Sequence, residues 1–331
     1  MVIAKDGVDG AGLHVGVTPW REDWTGPAEA LVSQAQLAEE LGYRSFWLPE
    51  SHFNGRSSVP APLLRLATVA AHTTHLKLAT TSYLLPVRHP LHAAAEVAEL
   101  DRLSGGRVIL GVGRGFRPAL FRAFGVPVRE KRDRFEAALK VMRAAWRGDS
   151  VIPGEPDAEA DEAPVLLAPL PVQKPHPPIW VAGFGPKAVA QAGRLGLPYL
   201  ASPIETLEAL LENHGRHREA HAEAGHSHDL AVPLMRTVFV SRNAVLLDRV
   251  RVALGRQASA LASLEIASMR RHADAAVDDW ALVGGPDEVV EGIGRYREKL
   301  GLSHLIARCH VPGAEPEDVS TSLELLAGLV R

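Results

Sequence analysis

A carboxylate, a hydroxyl, an imidazole and an aromatic ring follow one another in Glu50-Ser51-His52-Phe53, just past the apolar run Arg44-Ser45-Phe46-Trp47-Leu48. Histidine exchanges protons near neutral pH, and a carboxylate two residues away can hold its ring or raise its basicity. His52 and Glu50 are therefore candidate catalytic residues; the same pair could also do no more than tie a loop. A second set, Thr80-Thr81-Ser82-Tyr83-Leu84-Leu85-Pro86, also ends an apolar run. Its small polar side chains let a flat ring approach the backbone, although threonine-rich strand ends are ordinary.

Two further sets suit an anion. In Gly111-Val112-Gly113-Arg114-Gly115, three glycines flank an arginine in what reads as a loop. Glycine permits close approach, and arginine can clamp a phosphate with two parallel hydrogen bonds. The plainer reading is a turn with a surface arginine. Gly183-Phe184-Gly185-Pro186-Lys187 opens a helix, with proline at its first position. The N–H groups and positive end of that helix would hold an anion, unless this is only a glycine turn. Two anion-friendly segments favour one phosphate site over two coincidences.

Other chemistries find less support. His214, His217, His221, His226 and His228 read as the solvated face of an outer helix and the turn after it, and no metal site is assigned. The single cysteine, Cys309, reads as a small buried residue of the last strand. No nucleophile elbow is present, which argues against a serine hydrolase.

The elements that must position these residues alternate. Strands are read at 13–17, 44–48, 76–80, 107–111, 179–182, 199–201, 232–240 and 302–307. Helices are read at 27–41, 60–74, 90–103, 130–147, 186–195, 205–224, 286–300 and 315–330. The segment 148–178, rich in Pro, Glu, Asp and Ala, reads as a surface excursion, and 243–276 as an extra helical segment. Eight strand–helix units predict an α/β fold, a parallel (β/α)8 TIM barrel, as one domain over residues 1–331. An open doubly wound sheet is the other reading, but Val17-Thr18-Pro19-Trp20 is no glycine-rich dinucleotide turn. In a barrel the chemistry belongs just after each strand, where all four sets fall.

Hydrophobic residues make up 46% and charged residues 23% of the 331, the balance of a globular enzyme. A net charge of −3 argues against nucleic acid or an anionic membrane as partner. One cysteine permits no internal disulfide, and the first twelve residues lack the apolar core of a signal peptide, so the expected location is the cytoplasm.

Taken in order, the motifs resemble the bacterial luciferase-like flavin-dependent monooxygenases. Glu50-Ser51-His52-Phe53 is similar to that family's Glu-His-His-Phe segment. The stretches Thr80–Pro90, Leu100–Arg107, Gly111–Gly115 and Phe121-Arg122-Ala123-Phe124-Gly125 are similar nearly word for word, and Pro175–Gly183 and Val283–Glu288 look like later signposts. The resemblance implies a barrel of the luciferase type and a homodimer paired through helices near strands two to four. Locally, Leu91, Ala94, Ala95 and Ala98 would let two copies of the third helix approach, or could equally pack on their own barrel. It implies reduced FMN supplied by a separate reductase, molecular oxygen and a small organic substrate. A sister branch instead transfers hydride with the deazaflavin coenzyme F420, and a flavin-binding protein without turnover is a third reading.

By this resemblance Arg114 holds the cofactor phosphate, helped by Gly183, Phe184 and Gly185. Thr81 and Ser82 lie beside the flavin ring, where the family often has a non-prolyl cis peptide, and Gly113 stands where luciferase has a flavin-facing cysteine. Three positions depart from the pattern. Ser51 replaces the first histidine of the pair, the base of the luminescent members, which puts aldehyde chemistry of that sort in question. Gly113 removes one contact to the flavin. Phe184 and Gly185 stand at family Ser or Glu positions, which leaves the anion more dependent on backbone N–H groups.

Overall fold

A computed structural model describes residues 12–21, 24–151, 164–262 and 275–330. The described residues form two compact units, one within 48–179 and the other from 12–47 with 180–330.

The described residues begin in the second of these. Strand β1 (His14–Val17), helix α1 (Ala28–Glu40) and strand β2 (Ser45–Leu48) follow in order. Helix α1 buries Leu31, Ala35 and Ala38 at helical spacing. Strands β1 and β2 pair in parallel, with Gly16 opposite Ser45. A β-carbon on Gly16 would collide with the Ser45 side chain and the Trp47 ring. The glycine thus admits Trp47, whose Nε1–H donates to Ser45 Oγ at 2.8 Å.

The unit within 48–179 carries α2 (Pro62–Ala70), β3 (Lys77–Thr80), β4 (Tyr83–Leu84), α3 (Pro90–Leu103), β5 (Val108–Gly113), α4 (Pro118–Ala123) and α5 (Lys131–Arg147). Strand β5 pairs in parallel with β3 and with the two-residue β4. Two departures from the sequence reading matter. Strand β5 runs on to Gly113, so Gly111 and Gly113 are strand residues and only Arg114 and Gly115 enter the loop. Helix α2 begins at Pro62, which suits the first helical position, and is shorter than the expected 60–74.

The Leu100–Arg107 motif acts as a fastener. Buried Arg107 donates to Ser104 O, Thr73 Oγ1, Leu76 O and Ala70 O at 2.7–2.9 Å. Buried Asp101 accepts from the backbone N–H and Nε2–H of Gln173 at 2.9 and 2.7 Å, which anchors the described end of the excursion. Residues 152–163 of the excursion lie outside the described residues. Ala94 and Ala98, expected to meet a second copy, are fully buried within the chain, and Ala94 O accepts from Trp146 Nε1 at 2.9 Å. They give the dimer no surface.

The remainder adds β6 (Ile179–Ala182), α6 (Pro186–Arg194), β7 (Tyr199–Leu200), α7 (Leu207–Glu223), β8 (Pro233–Val240), α8 (Ala244–Ala262), α9 (Val277–Trp280), β9 (Ala281–Gly284), α10 (Pro286–Leu300), β10 (His304–Arg308) and α11 (Pro316–Leu329). The extra helical segment is α8 as far as Ala262; residues 263–274 lie outside the described residues. First and last strands pair in parallel, His14 opposite His304, and β8 lies between β10 and β9. The parallel α/β class expected from the alternation is what the structure shows, with β4 and β9 as additional short strands. Four rings meet in series inside this unit: Trp47 stacks on Trp180 at 5.1 Å, Trp180 meets His304 edge-on at 5.0 Å and His304 stacks on His14 at 4.7 Å. Each such pair adds about 0.5–1.5 kcal/mol beyond area burial.

Candidate active site

Strand ends of the 48–179 unit bring most of the candidate residues together. Past β2, the Glu50 side chain is 0% exposed, and a carboxylate so placed needs donors. It has three: Leu84 N–H at 2.9 Å, Arg88 Nη1 at 2.8 Å and His52 Nε2 at 2.6 Å. Arg88 also donates to Leu84 O at 2.8 Å, and its guanidinium lies 3.9 Å from the Tyr83 ring centre. Tyr83 in turn donates to Glu96 at 2.6 Å. A carboxylate that accepts from Leu84 and Arg88 accepts from His52 as well, which assigns the proton to Nε2. Nδ1 is then the nitrogen of His52 with a lone pair to offer. Arg88 was not a sequence candidate. Its signal was a cation four residues past Leu84, beside the second candidate set.

Beyond β3, Thr80 Oγ1 donates to Gly111 O at 2.8 Å, and Thr81 N–H donates to Leu48 O at 2.8 Å. The Thr81–Ser82 peptide is cis, at the position the resemblance implied. Ser82 packs against Gly113: a β-carbon on Gly113 would overlap the Ser82 side chain. Thr81, Ser82 and Gly113 thus meet at neighbouring strand ends.

Arg114 follows Gly113 and is not alone. Burial pulls its pKa below the ordinary arginine value, with Arg132 the next cause and Glu136 partly offsetting. Lys131 is lowered too, by burial first and then by Arg114 and Arg132. Like charges gathered in partial burial repel, and an anion among them relieves that repulsion. Lys131 and Arg132 begin α5, so the positive end of a 17-residue helix adds to the field. Both were missed in the sequence because a helix start rich in Lys and Arg reads as a solvated face.

Gly183, Phe184 and Gly185 belong to the other unit and form the turn into α6, with Pro186 at its first position. Each glycine there has a local reason. A β-carbon on Gly183 would strike Ala188, and Gly185 has φ +84°. Gly185 O already accepts from the N–H groups of Ala188 and Val189.

The histidine reading needs correction. His214 and His217 are buried, not solvated, and His217 Nε2 bonds Leu197 O at 2.9 Å. Tyr199, whose ring lies 5.2 Å from that of His214, and Asn213 both donate to buried Glu205. Among the described residues no group of three His, Cys, Asp or Glu is arranged to hold a metal. Cys309 is buried as expected, and burial pushes its thiol up to about 12. No helix of the described residues is long and apolar enough to cross a membrane.

Parallel strands and helices, with the Glu50–His52 pair and the Arg114, Lys131 and Arg132 cations beside their ends, make an α/β architecture. The family model described as luciferase-like monooxygenase matches residues 11–304, and the chain belongs to that family. The oxygenase component of flavin-dependent trigonelline monooxygenase from Acinetobacter baylyi is 28% identical over 53% of this chain and 49% of its own length. The chain spans about half the length of the curated relatives it matches. Two solved structures share the fold. The oxygenating constituent of 3,6-diketocamphane monooxygenase from Pseudomonas putida, in complex with FMN, has TM-score 0.78 at 23% identity over 96% of this chain and 98% of that one. An F420-dependent secondary alcohol dehydrogenase in complex with an F420–acetone adduct has TM-score 0.75 at 20% identity over 97% of this chain and all of the other (100%).

Proposed function

We propose that this protein is a flavin-dependent monooxygenase that takes reduced FMN from a separate reductase and oxidises a small organic substrate with molecular oxygen. The observation that carries this reading is the gathering of Arg114, Lys131 and Arg132 in the same unit as the Glu50–His52 pair. Three cations that raise one another's energy fit a phosphate dianion. When bound, reduced flavin supplies two electrons to oxygen, so that one oxygen atom enters the substrate and the other leaves as water.

The rest is the work of this chain's residues. Arg114, Lys131 and Arg132 hold the phosphate. Thr81, Ser82 and Gly113 offer a small, close-packed surface to a flat ring. Glu50 keeps Nε2–H of His52 engaged, and Nδ1 takes up or returns the proton that the substrate exchanges. Glu50 itself, held by Arg88 and Leu84, positions the imidazole rather than carrying the proton. As in the family resemblance, two copies are expected to pair, which light scattering would show.

The test is a pair of anaerobic titrations, with reduced FMN and with reduced F420, followed by oxygen uptake. Tight binding of reduced FMN and oxygen uptake above the free-flavin rate support the proposal. Preference for F420 without oxygen uptake replaces it with hydride transfer. Binding of FMN with no rate enhancement leaves a flavin carrier.

A further inference from the structure

Two phenylalanine rings gather at the acid–base residue, and both face outward. The His52 ring meets Phe124 edge-on at 5.2 Å between centres and at 81°, and lies 5.9 Å from Phe53. Phe53 and Phe124 are 6.0 Å apart. Phe53 is 65% exposed and Phe124 41%, with exposed Phe116 and Val128 on flanking segments of the same unit. Scattered apolar residues on a surface need no explanation, but a cluster around a candidate proton carrier does.

The backbone holds Phe53 outward against its own preference. Its φ is +56°, and it is the one non-glycine residue in the left-handed region among those described. A bulky side chain there is an outlier that persists only when its surroundings impose it. The surroundings are a small tied loop. Ser51 and Val59 exchange backbone hydrogen bonds at 3.1 and 2.9 Å, Ser51 Oγ donates to Ser57 O at 3.0 Å, and Asn54 N–H donates to Ser58 Oγ at 2.8 Å. Folding gains little from a phenylalanine that is mostly exposed in a conformation suited to glycine. Its ring is explained by what it can touch.

We infer that Phe53, Phe124 and His52 form the substrate-recognition face of the proposed active site, and that the substrate is a planar aromatic compound bearing a ring hydroxyl or carbonyl. This rests on the monooxygenase reading for the role of the site, though the binding itself does not depend on it. Tilted and edge-on rings with centres 5–6 Å apart present both faces and edges, the arrangement in which another flat ring gains contact beyond its buried area. A saturated chain gains only area there and gives up the freedom of its rotatable bonds. The hydroxyl or carbonyl follows from His52, which keeps Nδ1 for an outside partner once Nε2 is held by Glu50.

The experiment compares two ten-carbon alcohols, 1-naphthol and 1-decanol, by calorimetric titration of the full chain. Each is titrated into the wild type, Phe124→Leu, and Phe53→Gly with Phe124→Leu. Melting curves check that each variant folds; glycine suits the Phe53 backbone, and Phe124 is already partly exposed. The expected result is tighter binding of 1-naphthol than of 1-decanol, weakened about three- to tenfold per ring removed, with 1-decanol nearly unchanged. Decanol binding as tightly as naphthol, or naphthol affinity unmoved in the double variant, would overturn the proposal. So would a wild-type dimer that the double variant converts to a monomer without loss of naphthol binding, since a second copy would then cover the face. Reduced FMN is titrated into the same samples. A wild type that binds FMN but not 1-naphthol removes only this inference, whereas a wild type that binds 1-naphthol but not FMN removes only the cofactor reading.

Discussion

The Ser82 side chain stands where a β-carbon on Gly113 would be, so the residue before Arg114 is a glycine because the neighbouring strand end has filled its place. The luciferase cysteine at this position could not be restored without moving Ser82. Gly113→Ala should destabilise the protein by about 1–3 kcal/mol, the usual range for overpacking. Adding Ser82→Gly, which removes both atoms that the new methyl would collide with, should recover most of that loss. Denaturant melts of the two single variants and the double variant give the coupling directly. If the two changes simply add, the complementarity is not energetically real.

Arg114→Ala removes a charge-assisted hydrogen bond to the phosphate and should weaken reduced FMN binding about ten- to a hundredfold, equivalent to about 1.5–3 kcal/mol. Lys131→Ala should weaken it less, because Lys131 is the more solvated of the two positions. Fluorescence titration of both variants checks this, and unchanged affinity in Arg114→Ala places the phosphate elsewhere.

Residues that directly follow a strand were readable because the end of an apolar run marks where the strand stops. Glu50, His52, Thr81, Ser82 and Arg114 all lie there. Arg88 and Lys131 were not readable, since a short strand or helix start carries them back to the site and neither has periodicity. Strand β4 has two residues and no alternation to detect. Helix α7 misled for another reason: it buries Asn213, His214 and His217, so its inward side looks polar in sequence. Glycines were ambiguous throughout. Gly16 and Gly183 make room for Trp47 and Ala188, and no sequence pattern separates that use from ligand approach.

Two histidines, buried His214 and half-buried His304, make stability pH-dependent. His304 is lowered to about 4 by burial and then by His14. His214 is lowered to about 4 by burial first and then by His217, Arg218 and Arg236. Both are therefore neutral in the folded chain at a pH where the unfolded chain, near the ordinary value of about 6.5, binds protons. Proton uptake then favours unfolding. Their contribution is complete above about pH 6.5 and is lost as pH falls toward 4. The melting temperature should drop between pH 7.5 and pH 5, above the range where most carboxylates titrate. His304→Gln should shrink that drop while lowering the melting temperature at pH 7.5. An equal drop in the variant would show that other groups carry the acid sensitivity.

The last prediction concerns the chain His52–Glu50–Arg88. Glu50 lies between an imidazole at 2.6 Å and a guanidinium at 2.8 Å, with no exposure of its own. If His52 moves the proton, His52→Ala should lower turnover by about 10²–10⁴ and leave reduced FMN affinity nearly intact. Arg88 acts one step away, by fixing the carboxylate that fixes the ring. Arg88→Met keeps the stem over Tyr83 but leaves buried Glu50 without a cationic partner. It should lower turnover less than His52→Ala and cost about 1–3 kcal/mol of stability, the penalty of a lost buried partner. Arg88→Lys restores the charge without the planar guanidinium, one nitrogen of which serves both Glu50 and Leu84 O, and should recover part of both losses. Nitrogen NMR of the imidazole separates positioning from mere folding. In the wild type the proton should sit on Nε2, and in folded Arg88→Met that preference should weaken. Full turnover in a folded His52→Ala variant would remove the acid–base role; an unchanged tautomer and rate in Arg88→Met would remove only the positioning role, leaving Arg88 as a tie between Glu50 and the Leu84 turn.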